Sequence, residues 1–161
     1  MSTLEIGIVL SKCIPFLNSI GIAIKFRKID GVCFLPGLII EGGNIIIDRD
    51  ALLYPGDILH EAGHIAVVPA AERASLSNQS VLDSKNRETE EMMAIAWSYA
   101  ACIHLELDPY IVFHESGYNG GGNNIVENFN TGHFFGIPSL QWCEMTIWRS
   151  EERRVGKECR S

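Results

Sequence analysis

Apolar residues recur at helical spacing over residues 3 to about 18. Leu4, Ile8, Val9, Cys13, Phe16 and Leu17 fit a 3.6-residue repeat, which predicts an N-terminal helix that Pro15 kinks or ends. The period then shortens. Ile22, Ile24 and Phe26 alternate with Ala23, Lys25 and Arg27, the pattern of a half-buried strand. Residues 37–48, GLIIEGGNIIID, set two apolar runs on either side of Glu41-Gly42-Gly43-Asn44. This predicts a β-hairpin, because glycine tolerates the positive φ of a tight turn. Pro55 and Asp57 suit the first turn of a helix that runs to about Val68 and stops at Pro69. Residues 70–86 are polar and read as a loop. A second strong helix is expected from Arg87 to about Leu107, with Glu88, Glu90 and Glu91 placed where the helix dipole favours acids. Asp108-Pro109 reads as an N-cap and first position of a short helix through Phe113. SGYNGGGNN, residues 116–124, reads as a flexible glycine-rich loop. Residues 128–139 are broken by Gly132, Gly136 and Pro138, and residues 140–148 read as part of another helix. The class this predicts is α+β: an N-terminal helix, a small sheet with a hairpin, two strong helices, and a mostly helical C-terminal part.

Residues 149–161, RSEERRVGKECRS, have no apolar periodicity and do not continue what precedes them. The string resembles, residue for residue, one translated frame of a widely used short-read sequencing adapter. The expected organisation is therefore a single domain over residues 1–148, its native C-terminus missing, followed by a non-native tail. The tail carries a net charge of +2, so the body carries −9 against −7 for the whole chain. That balance argues against a nucleic-acid surface, which would show a basic patch. The first residues lack a basic n-region and carry Glu5 early, so no signal peptide is expected. The longest apolar stretch, around residues 92–103, is too short for a bilayer, and no membrane partner is expected. Cys13, Cys33, Cys102 and Cys143 form no C-x-x-C pair and read as reduced thiols of a soluble, cytoplasmic protein.

Candidate chemistry concentrates at His60-Glu61-Ala62-Gly63-His64. Positions four apart share a helix face, so His60 and His64 can offer two imidazole nitrogens to one cation. Glu61 is placed to act as general base on a metal-bound water. Two imidazoles suit zinc, and a catalytic zinc needs a third protein ligand and an open position. The apolar run Ile65-Ala66-Val67-Val68 marks the helix as buried, where two histidines and a glutamate need partners.

The third ligand is expected from the next helix. Glu91 shares a stripe with Ala94 or Ile95, Ser98 and Cys102, small or apolar residues that allow close packing on the metal helix. Glu90 shares a stripe with Ala94, Trp97 and Ala101 and ranks second; Glu88, His104, His114 and His133 stay open behind it. His104, near the end of its helix, suits the dipole there. His114, His133 and Tyr118 are candidates to approach the open metal position as hydrogen-bond donors. The glycine stretch has no phosphate-loop lysine.

SIGIAIKF, the GLIIEGGNIIID hairpin, ILHEAGH and EEMMAIAWSYAA, in that order over residues 19–107, resemble the small zincin domain of the ImmA/IrrE type. The resemblance implies a minimal zincin-like fold, His60, His64 and Glu91 as ligands of one zinc per chain, and Glu61 as catalytic base. It also implies a bacterial metallopeptidase with a protein or peptide substrate. The stretch after Leu107 has no counterpart in that pattern. Two functions follow as expectations. One is a zinc metallohydrolase, a peptidase, with an extended substrate added to the hairpin edge by β-augmentation. The other is a metal-binding regulatory or protein-interaction module of the same fold, without turnover.

Overall fold

The structure, a computed structural model, describes residues 3–31 and 33–145. The adapter-like tail and Trp148 lie outside that range. The described residues form an α+β arrangement of six α-helices and one three-stranded sheet. Helix α1 is Thr3–Ser19 and carries Pro15 within it. Its inner face, Val9, Cys13 and Leu17, is buried together with Ile22. Strands β1 (Ile24–Phe26), β2 (Leu38–Glu41) and β3 (Asn44–Ile47) stand in the order β1-β3-β2. β1 runs parallel to β3 and β2 antiparallel to it, with Leu38 opposite Ile47 and Glu41 opposite Asn44. Gly42 and Gly43 turn the hairpin with φ of 58° and 68°, a backbone that most side chains resist.

Two strand expectations change. β1 starts at Ile24, so Ile22 packs in the core before the strand begins. Phe26 is 42 % exposed, with the Arg49 guanidinium 4.0 Å from its ring. The hairpin edge also differs from the substrate track expected of it. β2 is the edge strand, yet its outward amides are taken. Leu38 N donates to Leu35 O at 3.2 Å, Ile40 N donates to Asn78 Oδ1 at 2.6 Å, and Glu41 bridges Ser77. A peptide cannot add where the chain already pairs with itself.

The connection expected to be a loop contains helix α3 (Asn78–Leu82), started by a capping box between Ser77 and Ser80. The metal-motif helix is α2 (Asp57–Ala66), and the second strong helix is α4 (Arg87–His104). Asp108 caps a single 3-10 turn over Pro109–Ile111 rather than a full helix. The glycine-rich stretch is shorter than expected as a loop, because helix α5 (Gly122–Asn130) begins inside it and buries Val126 and Phe129. Helix α6 spans Ile137–Trp142, three residues earlier than expected, with Pro138 in its first turn. Among the described residues no helix is long and apolar enough to cross a membrane.

Candidate metal centre

α2 is buried along almost its whole length, with Ile58, Leu59, Ala62 and Ile65 in the core. It lies against α4 at close range. A Cβ on Gly63 would stand 2.8 Å from Ala94 O and 3.1 Å from Ser98 Oγ, so a hydrogen is all that fits there. Ser98, fully buried on α4, donates to Ala94 O and reaches Leu59 O at 3.3 Å. The small-residue stripe on α4 therefore sets the helix separation, and Glu91 heads that stripe.

This packing brings three side chains to one point. His60 Nε2 and His64 Nε2 lie 3.2 Å apart. Glu91 straddles them, with Oε1 3.5 Å from His60 Nε2 and Oε2 3.2 Å from His64 Nε2. Ligands at about 2.0–2.1 Å from a tetrahedral zinc stand roughly 3.3–3.4 Å from one another. The three separations lie close to that edge length, the two to Glu91 running to different oxygens, so two nitrogens and a carboxylate are near enough to share one metal ion. Glu61 is adjacent: its carboxylate lies within 4.8 Å of both histidine nitrogens. His60, Glu61 and His64 thus form a group that could hold a metal ion, and Glu91 faces the two Nε2 atoms from across the helix pair at shorter range. His60 Nδ1 is buried and finds no hydrogen-bond partner among the described residues, where metal histidines usually have one.

The electrostatics differ between the two histidines. Burial lowers His60 to about 4, with the His64 charge adding to the effect and Glu91 opposing it. For His64 burial also works downward, but the hydrogen bond to Glu91 and the charges of Glu61, Glu91 and Glu90 carry it above its ordinary value. Burial opposes ionisation of Glu91 too, yet His64, His60 and Arg87 hold its carboxyl below the usual range. Glu61 is raised to about 7, mainly by burial, with Asp57 and Glu91 reinforcing and His64 opposing.

Against His60 stands Tyr118, one of the residues expected near the metal position, and His114 lies in the segment just before it. Tyr118 sets its ring edge-on to His60, centroids 5.4 Å apart, and also packs on Phe113. Its backbone and that of Asn119 are left-handed, both with φ of 53°. Such a conformation is strained for a tyrosine and persists only where the surroundings hold it. Four residues earlier, His114 places its Nε2 3.0 Å from Asp57 Oδ1 and stacks its ring on Tyr54 at 4.0 Å. Burial raises Asp57, and His114 opposes the rise. Burial together with the charges of Glu91, Asp57 and Glu61 holds the Tyr118 phenol far above its ordinary range, so it stays protonated.

Local pattern assigns Asp57 only to the helix dipole. Its place four residues before Glu61, on the same face, is the signal that it belongs to the site. The remaining candidates lie elsewhere. Glu90 is half-buried at the mouth of a groove beside His64. Glu88 is exposed. His104 ends α4 with its ring 5.3 Å from Phe16. His133 is exposed and its Nδ1 lies 3.0 Å from the Thr131 hydroxyl. His114 is held by Asp57. The buried thiols Cys13 and Cys102 are pushed up to about 12 and offer no nucleophile.

In comparisons with known proteins, no family model, no curated protein and no solved structure matches this chain. The chemistry is therefore argued from the site.

Proposed function

We propose that this chain is a zinc-dependent metallopeptidase of the small zincin kind. The observation that carries the reading is the convergence of His60 Nε2, His64 Nε2 and the Glu91 carboxylate at separations close to the edge length of a zinc tetrahedron. A zinc ion there would supply Lewis acidity to a scissile carbonyl and to a water molecule. The chain's own groups account for the rest. Glu61, buried beside the two histidines, is placed as the base that takes the water proton on its carboxylate and passes it to the leaving amine nitrogen. Tyr118 keeps a protonated phenol on the His60 side, available as a hydrogen-bond donor to a carbonyl oxygen. Glu91 is 39 % exposed at its side chain, so the centre opens to solvent on the α4 side. A purely structural site would close its fourth position and would have no use for Glu61.

The test is Glu61→Gln. The variant is expected to hold one zinc per chain and to lose hydrolysis of a mixed peptide pool, read by mass spectrometry. Loss of zinc from the variant would make Glu61 a ligand. Equal turnover in variant and parent would remove it as base. Zinc binding with no cleavage in the parent would favour the binding-module reading.

A further inference from the structure

The β2 edge pairs with the chain's own residues and Tyr118 packs against the ring of His60, while His64 borders a groove. A groove of about 680 Å³ starts at His64 and runs between the end of α2, the α3 segment, the first turns of α4 and α6. That volume is within the range of ligand sites and exceeds what one side chain fills. Its walls include Val67, Leu76, Val81 and Met93, with Trp142 at the rim. Trp142 is 89 % exposed, an unusual setting for so large a ring. Two carboxylates line the groove, Glu72 and Glu90, and among the described residues that line it none is lysine or arginine.

A groove that mixes apolar residues with hydroxyls and an amide, and carries two carboxylates and no cation among its described lining, suits one kind of side chain. Lysine and arginine carry an aliphatic stem that packs on apolar surface and a cationic head that seeks an acid. A hydrophobic side chain would gain nothing from the charges of exposed Glu72 and half-buried Glu90, and an acidic one would meet like charge. We infer that this groove binds the substrate peptide on the His64 side of the metal and selects a lysine or arginine there, with Glu72 and Glu90 as the specificity-determining acids. The inference rests on the peptidase reading for the nature of the occupant, but its test needs no turnover.

The experiment uses the full chain carrying Glu61→Gln, loaded with zinc. End-blocked nonapeptides of alanine, leucine and glutamine carry a single central Lys, Gln or Glu. Calorimetry gives the affinity, and Trp142 fluorescence, checked against Trp142→Phe, reports the location. The Lys peptide is expected to bind about 10-fold tighter than the Gln peptide and tighter still than the Glu peptide at low salt, a preference that shrinks as salt screens the charges. Glu72→Gln with Glu90→Gln should erase the preference, and saturation should shift the Trp142 emission. Equal affinities for the three peptides would overturn the inference, as would no binding at millimolar peptide, a preference retained in the double variant, or calorimetric binding with Trp142 silent. The Lys–Glu comparison in the parent groove stands even if the double variant fails to fold. If the preference holds while the unsubstituted chain cleaves nothing, the peptidase reading falls and the groove remains. If the chain cleaves peptides without the preference, the groove assignment falls and the peptidase remains.

Discussion

The two histidines of the centre share one helix and face opposite surroundings. On the His60 side the chain closes over itself: Tyr118 against the ring, then His114 locked between Asp57 and Tyr54. On the His64 side it stays open, with a groove that leads out past Glu90 to an exposed Trp142. The same three-ligand geometry thus has a walled flank and an accessible one. The contrast teaches that the surroundings of the two histidines are built by segments distant in sequence from the motif: Tyr118 and His114 on one flank, the α3 segment and α6 on the other.

The largest expected effects treat both flanks alike. His60→Ala and His64→Ala should each weaken zinc affinity by well over 100-fold, beyond the roughly 10–100-fold that outer-shell changes produce. Glu91→Ala should do the same and Glu90→Ala should not; competition with a chromogenic chelator measures all four. Equal losses at Glu90 and Glu91 would break the assignment.

The flanks should then part in stability. His114→Ala leaves the buried Asp57 without its partner and should cost about 3 kcal/mol in urea unfolding. On the open flank, Trp142→Ala should cost less than about 0.5 kcal/mol. Similar costs would mean the strap is no more fixed than the groove rim.

Metal-free protein should show a pH dependence from Glu61. Its folded pKa, about 7, stands above its ordinary 4.5, so the fold favours the protonated acid. Stability from this group is complete below about pH 4.5 and is lost as pH rises through about 7, by on the order of 3 kcal/mol. Glu61→Gln should flatten that slope, as should zinc, whose charge favours the carboxylate. An unchanged slope in the variant would place the titration elsewhere.

Gly63→Ala should be of comparable or smaller size. Its Cβ meets the α4 backbone at Ala94, so the helices must separate at about 1–3 kcal/mol, with weaker zinc binding as the ligands spread. Unchanged stability and zinc affinity would mean that the close helix approach does not set the ligand geometry.

How far this was legible in sequence follows the range of the forces involved. α2, α4 and the hairpin are set by local periodicity and turn chemistry, and the stripe below Glu91 pointed to the side chain that meets both histidines. α5 was not legible. It opens with Gly122, Asn123 and Asn124, which are poor helix formers. Its start is fixed by close approach to Phe113, whose carbonyl oxygen would lie 2.3 Å from a Cβ on Gly122. The pairing of His114 with Asp57 was hidden for the same reason. Asp57 and His114 are 57 residues apart, and no local pattern links them. The self-pairing of the β2 edge depends on Asn78, in a stretch whose polar composition reads as loop.

The metal centre is tested most directly by an anomalous difference map at the zinc edge from crystals of the zinc-loaded chain. One peak per chain is expected, about 2.0–2.2 Å from His60 Nε2, His64 Nε2 and a Glu91 oxygen, with Glu61 outside bonding distance. No peak at this point, or a peak bonded to Glu61 with Glu91 turned away, would contradict the three-ligand centre.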